Sequence, residues 1–384
     1  MEFGLSSEQK DLVGVFREFG ERTFTTEQVA QWCRDGGLPD AVVAEFAELY
    51  FSTLGQAEVD AFSNSVMNQT LILEELSRCA GATLPFQNEL FNLQIMGGFA
   101  GRKTFSRILD DYRKTGRLMF SMGVSEPHAG SDTMNMRTNT QTIGGTIYLN
   151  GAKTYVNNGE YAPNILVAAI DKDAEQEKYP PLAFWLIPSN LQGITKMPID
   201  KMGQKMLPFA SVEFQNVELK PEYRLTGNDG GFRQLFHLLE FGRIFTCASS
   251  LGMAQAAMED AISFAREREA FGTEIANFQQ IAQLLTDMEV ALTNMRSMLY
   301  RAVWAIEADQ EDKRLAVSLC KRYIPKAATD VASAAMQILG GSGYTEGSRV
   351  SRIWEDCRGN QIAEGTDQIM VYISAPLIMD KYDK

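Results

Sequence analysis

The chain reads as a multidomain α and β protein, with a helical domain, then a middle β domain, then a second helical domain. Three observations predict it. Its 384 residues exceed what one hydrophobic core usually organises. The apolar period is helical to about residue 118, shortens over 119–227, and turns helical again from 228 onward. Gly, Pro and Asn pairs gather in the middle stretch, where short strands need turns. The domains are therefore expected at 1–118, 119–227 and 228–384.

In the first stretch, Ser6-Ser7-Glu8-Gln9 can cap a helix whose apolar face holds Leu12, Val15, Phe16 and Phe19, and Val66 to Leu76 continues the helical pattern. In the second, strands are expected at 146–149, 165–170, 183–187 and 211–214. Gly144-Gly145, Asn150-Gly151, Pro180-Pro181 and Asn228-Asp229-Gly230-Gly231 should punctuate them. In the third, long helices are expected at about 232–268, 277–308, 311–339 and 366–380, which suggests a four-helix bundle.

Composition narrows the function classes. With 45% apolar and 22% charged residues the chain resembles ordinary soluble proteins. A net charge of −13 without a dense basic run argues against a nucleic-acid partner. The first residues, Met1 to Gln9, lack the pattern of a signal peptide, and no apolar run reaches membrane-spanning length, so a cytoplasmic protein without a membrane partner is expected. Five scattered cysteines and two histidines, His128 and His237, give neither zinc-like spacing nor easy material for a Ser-His-Asp triad. No metal is expected, and acid–base chemistry should rest on carboxylates.

Glu364 is the leading carboxylate. Thr366 can cap a terminal helix with Asp367 in its first turn and Ile369, Met370, Ile373 and Leu377 at helical spacing, which leaves Glu364 and Gly365 in irregular backbone at its mouth. Two other stretches carry polar ligand chemistry. Gly123 to Asp132 offers small residues and hydroxyls that let backbone amides approach a ligand, with Pro127 stiffening the turn. Thr154 to Gly159 sets Tyr155 beside Asn157 and Asn158, which suits a flat heteroaromatic cofactor or, equally, a core tyrosine with its hydroxyl satisfied.

The order of these motifs resembles the FAD-dependent acyl-CoA dehydrogenase family along nearly the whole chain. The resemblance is carried by Leu5 to Gln9, Val124 to Asp132, Asn150 to Lys153, Arg266 to Gly272 with Phe278-Gln279, Gln337 to Tyr344, and Glu364 to Gln368. It implies an acyl-CoA dehydrogenase-like fold with an N-terminal helical domain, a middle β-barrel domain and a C-terminal helical bundle. FAD would lie between domains and across a subunit interface of a homo-oligomer, most simply a tetramer.

Carried over residue by residue, the resemblance puts the flavin ring against Met122, Val124, Ser125, Tyr155 and Asn157, with Ser125 and Asn157 hydrogen-bonding it. Ser131 counts among both the cofactor and the substrate-thioester contacts. Arg268, Phe271, Gln279, Gln337, Gly340 and Gly341 would serve the distal half of FAD in a neighbouring subunit, where an Arg suits a pyrophosphate. Thr366 and Gln368 complete the cofactor set, while Glu240, Arg243 and Gly365 match positions near acyl-CoA. Glu364 matches the base that removes the α proton while flavin N5 accepts the β hydride. The thioester oxygen would be polarised by a ribityl hydroxyl and the Glu364 N–H. Some family members carry the base instead at the position matching Gly242, which is empty here.

Several positions depart from the family pattern: Met122, His128, Tyr155, Asn157 and Ala270, and Gln56 to Phe62 in place of a Pro-Glu-Glu-x-Gly-Gly turn. The nearest resemblance is to the bacterial branch related to crotonobetainyl-CoA reductase, whose members can run in the enoyl-reducing direction and often lack the terminal-helix glutamate. The expectation is an acyl-CoA dehydrogenase delivering electrons to electron-transfer flavoprotein. The alternatives are a 2-enoyl-CoA reductase on the same scaffold and, more distantly, a non-catalytic binding scaffold.

Overall fold

The computed structural model describes residues 4–54, 65–99, 103–175, 179–225 and 231–383. Among the described residues, six helices precede the sheet: α1 Ser7–Thr23, α2 Thr26–Asp35, α3 Asp40–Leu54, α4 Val66–Ala80, α5 Phe86–Gly98 and α6 Lys103–Thr115. Ser6 and Gln9 close the expected capping box on α1, each side chain accepting from the other's backbone N–H at 3.1 and 3.0 Å. Leu12, Phe16 and Phe19 are buried, whereas Val15 lies at the edge of their stripe and is exposed. The stretch Gln56 to Phe62 lies outside the described residues.

Among the described residues, eight strands follow: β1 Ser121–Gly123, β2 Asn139–Ile143, β3 Thr146–Asn157, β4 Asn164–Asp171, β5 Leu182–Pro188, β6 Ile194–Ile199, β7 Phe209–Leu219 and β8 Arg224–Leu225. They form one mixed sheet in the order β6-β7-β3-β2-β4-β5-β8, with β1 pairing parallel to β4. Gly144 and Gly145 make the two-residue β2–β3 turn with φ of 60° and 86°, a backbone that favours glycine. Asn150-Gly151, expected to end the strand at 146–149, instead lies inside β3 at a register shift against β7, so the strand runs on to Asn157.

The sheet curls over its own core, in which Leu149, Val212 and Phe214 of β3 and β7 join Ile165, Val167, Trp185 and Ile187 of β4 and β5. The opposite faces of β4 and β5 carry Leu166, Ala168, Phe184 and Leu186 into the core of the helices. Burial on both faces explains why these strands read as continuous apolar runs.

The second helical domain holds α7 Gly231–Glu267, the short hairpin β9 Glu269–Ala270 and β10 Thr273–Glu274, α8 Gln279–Glu307, α9 Lys313–Leu339, α10 Arg349–Asn360 and α11 Asp367–Tyr382. The four expected long helices are α7, α8, α9 and α11, and α10 is an addition the sequence reading did not contain. α7 is apolar nearly all round, as befits a helix packed between α4, α8 and α9. Asp356 on α10 joins all three regions, because its carboxylate accepts from the backbone N–H of Thr83 (2.7 Å) and of Gln204. No helix among the described residues is long and apolar enough to cross a membrane.

Candidate active site

Glu364 sits in the turn between α10 and α11. The N–H groups of Ile362 and Ala363 return to the Gly359 carbonyl (2.9 and 3.1 Å), and Asp367 N–H returns to Gln361 (3.2 Å). Thr366 caps α11 through its hydroxyl, which accepts from Ile369 N–H at 3.2 Å. Between these anchors Glu364 and Gly365 both take left-handed backbone, φ 55° and 95°. For a glutamate that conformation costs on the order of 1–3 kcal/mol and persists only where the surroundings impose it.

Two buried cations impose it here. Arg243 Nε of α7 donates to the Glu364 carbonyl at 3.1 Å, and Lys321 Nζ of α9 donates to the Gly365 carbonyl at 3.2 Å. The Glu364 side chain is thereby turned onto Gly242 of α7, where Oε2 is buried without a hydrogen-bond partner. Burial raises its pKa above the usual carboxylate range, and the charges of Arg243 and Lys321 oppose that rise. Glu240, buried on the same helix two residues before Gly242, has His237 Nδ1 3.7 Å from its Oε2. A carboxylate with an open acceptor, aimed by its own backbone and flanked by cations, has the makings of a general base.

The two candidate ring-binding stretches meet. Thr154 N–H donates to Ser125 O at 2.9 Å, tying the loop after β1 to the end of β3. Beneath them Lys153, fully buried, donates to Val124 O (2.9 Å) and to Glu126 Oε1 (2.8 Å), while Glu126 also accepts from the N–H groups of Arg137 (2.7 Å) and Thr138 (2.9 Å). Burial alone would raise the Glu126 pKa, but Lys153 and these donors hold it below the ordinary value. His128, the departure noted in this loop, reaches within 3.4 Å of Glu126 Oε2.

Above this anchor Tyr155 stands at φ 56° and is 62% exposed, and Asn157 Oδ1 is buried with no partner. Met122, Val124 and Ser125 are half-buried and Ser131 is exposed. A presented aromatic face beside an unsatisfied polar atom fits a planar, hydrogen-bonding ring.

The remaining candidates lie elsewhere on the surface. Phe271 is at the tip of the β9–β10 hairpin, 98% exposed at φ 54°, with Arg268 at the hairpin's base and Gln279 opening α8. Gln337, Gly340 and Gly341 are exposed at the end of α9, and Gln368 is exposed in the first turn of α11. A phenylalanine that touches only Phe278 edge-on, on the same hairpin as an exposed arginine, fits a ligand or chain that covers both.

Sequence reasoning named Lys153 only as part of a motif and missed Glu126 and Lys321 as site-shaping groups. The available signal was a lysine set among residues that are otherwise apolar or small, as in Cys320-Lys321 on the inner face of α9. Among the described residues no cluster of His, Cys, Asp and Glu could hold a metal ion.

Comparison with known proteins finds matches along nearly the whole chain. Family models described as acyl-CoA dehydrogenase, middle domain, and acyl-CoA dehydrogenase, C-terminal domain, match residues 121–217 and 229–378. A probable acyl-CoA dehydrogenase of Escherichia coli strain K12, YdiO, is 33% identical over 387 residues, covering 100% of this chain and 99% of the relative. The solved acyl-CoA dehydrogenase from Slackia heliotrinireducens is 47% identical with a TM-score of 0.89, covering 100% of this chain and 99% of that one. Butyryl-CoA dehydrogenase from Megasphaera elsdenii is 26% identical with a TM-score of 0.88, covering 99% and 100%.

Proposed function

Because the chain belongs to the acyl-CoA dehydrogenase family of oxidoreductases, we propose that it performs FAD-dependent α,β-dehydrogenation of an acyl-CoA thioester, with Glu364 as the base. The observation that carries this reading is the buried, unpartnered Glu364 Oε2 lying against Gly242 and flanked by Arg243 and Lys321. Glu364 takes the α proton, leaving its electron pair to form the new double bond as the β hydrogen departs as hydride. A bound FAD supplies the hydride acceptor. The Glu364 N–H donates to the thioester oxygen as enolate character develops, and Ser131, Glu240, Arg243 and Gly365 border the thioester.

The residues present fit the cofactor. Ser125 and Asn157 would hydrogen-bond the ring, with Met122, Val124 and Tyr155 beside it. Arg268, Phe271, Gln279, Gln337, Gly340 and Gly341 of a neighbouring subunit would hold the distal half, and Thr366 and Gln368 the remainder. This arrangement calls for a homo-oligomer, which we take to be a tetramer, with domains divided at 118/119 and 227/228. Electrons would leave to electron-transfer flavoprotein, in a cytoplasmic setting.

The reverse reaction, reduction of a 2-enoyl-CoA, uses the same carboxyl as proton donor. Burial, which raises the Glu364 pKa, favours the protonated form which that direction needs. Anaerobic mixing of FAD-loaded protein with a panel of acyl-CoAs tests both directions: bleaching of the flavin by a saturated acyl-CoA supports dehydrogenation, and reoxidation of reduced protein by an enoyl-CoA supports reduction. A protein that takes up no FAD, or that responds to neither class, would overturn the reading.

A further inference from the structure

Lys321 is a buried cation without an obvious structural need for its charge. Its side chain has no solvent exposure, and its ammonium donates to the Gly365 carbonyl rather than closing on a carboxylate. Taking an ammonium out of water costs several kcal/mol, so a methionine of similar length would suit a purely structural position better. What the position gains from the charge is the field at Glu364, while its donor holds the Gly365 carbonyl, the next one along from the Glu364 carbonyl that Arg243 holds.

Resting on the reading of Glu364 as base, we propose that Lys321 is a positioning residue for the proton transfer: its ammonium clamps the Glu364–Gly365 turn and stabilises the ionised carboxylate before the α proton is taken. Arg243 is the second cation at that carboxylate and fixes the preceding peptide, so the turn is held at two successive carbonyls by two helices. Glu240 acts on Arg243 from its own helix and Arg314 from α9. Lys321 in turn feels the Cys247 thiol of α7 and Asp367 of α11. Asp367 faces Arg322 at 3.6 Å, and Cys320 lies against Cys247. Lys321 joins a direct tether on the turn to a charge on the α9 side.

The test compares wild type, Lys321→Met, Lys321→Gln and Glu364→Gln, each loaded with FAD. Glutamine keeps an uncharged donor one bond shorter than the lysine, and methionine removes both donor and charge. In single-turnover flavin reduction the acid limb should move to higher pH by about one unit or more in both Lys321 variants, a rate roughly tenfold lower below the limb. The plateau rate should fall further in Lys321→Met than in Lys321→Gln. A second readout is independent of turnover: the infrared carboxylic-acid band that disappears in Glu364→Gln should titrate at higher pH in the Lys321 variants.

An unmoved limb and band, with Glu364→Gln still inactive, would overturn the role of Lys321 while leaving the base in place. Full activity of Glu364→Gln would instead remove the base assignment and the proposal with it. If neither Lys321 variant folds and holds FAD, Lys321 is a scaffold residue and the proposal fails.

Discussion

The Glu364 carboxylate occupies the space that any side chain at residue 242 would need: a Cβ on Gly242 would stand 2.5 Å from Oε2 and 2.8 Å from Cδ. The clash is with the far end of a side chain, so Gly242→Ala should fold and bind FAD while displacing the base. A shift of about 1 Å in a reacting group costs roughly 10²-fold. Stopped-flow flavin bleaching at saturating acyl-CoA should show that loss with the melting temperature little changed. An unimpaired rate would mean that the carboxylate works from another position.

Glu364→Gln keeps the turn and its N–H but cannot accept a proton. Flavin reduction should slow by about 10²- to 10⁴-fold with FAD content and acyl-CoA affinity retained. Comparing binding titrations with single-turnover traces checks the separation.

Lys153→Met removes the cation from a buried pair and leaves Glu126 with its backbone donors and the nearby His128. Breaking a buried pair from one side costs about 3–5 kcal/mol, whereas removing both charges costs less. Lys153→Met should therefore melt well below wild type, Lys153→Met with Glu126→Gln should recover part of the difference, and the single variant should bind FAD more weakly because the 124–131 loop loses its floor. Thermal melts with and without added FAD measure all three.

Glu89 of α5 gives a pH dependence with a definite sign. It is buried, accepting from Met119 N–H (3.0 Å) and Asn92 (3.3 Å), and burial pushes its pKa up to about 8. In the unfolded chain a glutamate titrates near about 4.3. Between those values the unfolded state releases a proton that the folded state keeps, so this group makes stability fall as pH rises, by about 1.4 kcal/mol per unit. Glu89→Gln should flatten that decline: the stability of the variant relative to wild type should be higher at pH 8 than at pH 5, as read from denaturant titrations at the two pH values.

Arg268→Ala combined with Phe271→Ala should strip FAD without unfolding the chain, because both side chains project from a hairpin outside the core. Light scattering of wild type should report a tetramer with one FAD per chain. A fully flavinated monomer would contradict the shared-cofactor arrangement.

The long helices and the buried strands were legible because burial on all sides or on both faces leaves unbroken apolar runs, as in α7 and β4. The strands that escaped notice lack that signature. β2, Asn139 to Ile143, is polar and becomes a strand because β3 and β4 pair with it, a long-range cause that its own residues do not record. β6 contains Pro198, which argues against a strand except at a sheet edge, and β6 is the end of the path. In α10 the apolar spacing of Val350, Ile353 and Cys357 was present but outweighed by charge. Within the site, Glu364 and the Thr366 cap could be read from the local pattern. The left-handed turn that aims Glu364 could not, because Arg243 and Lys321, which hold it, stand 121 and 44 residues from their acceptors.

The two-faced burial of β4 and β5 has a consequence for anyone who would cut the chain apart. A fragment from β1 to β8 would carry Leu166, Ala168, Leu182, Phe184 and Leu186 into water as a contiguous greasy flank, and such a fragment would stick to copies of itself rather than stay dispersed. The middle segment is thus no transplantable module. Chimeras joined at its ends must also import the helices it leans on.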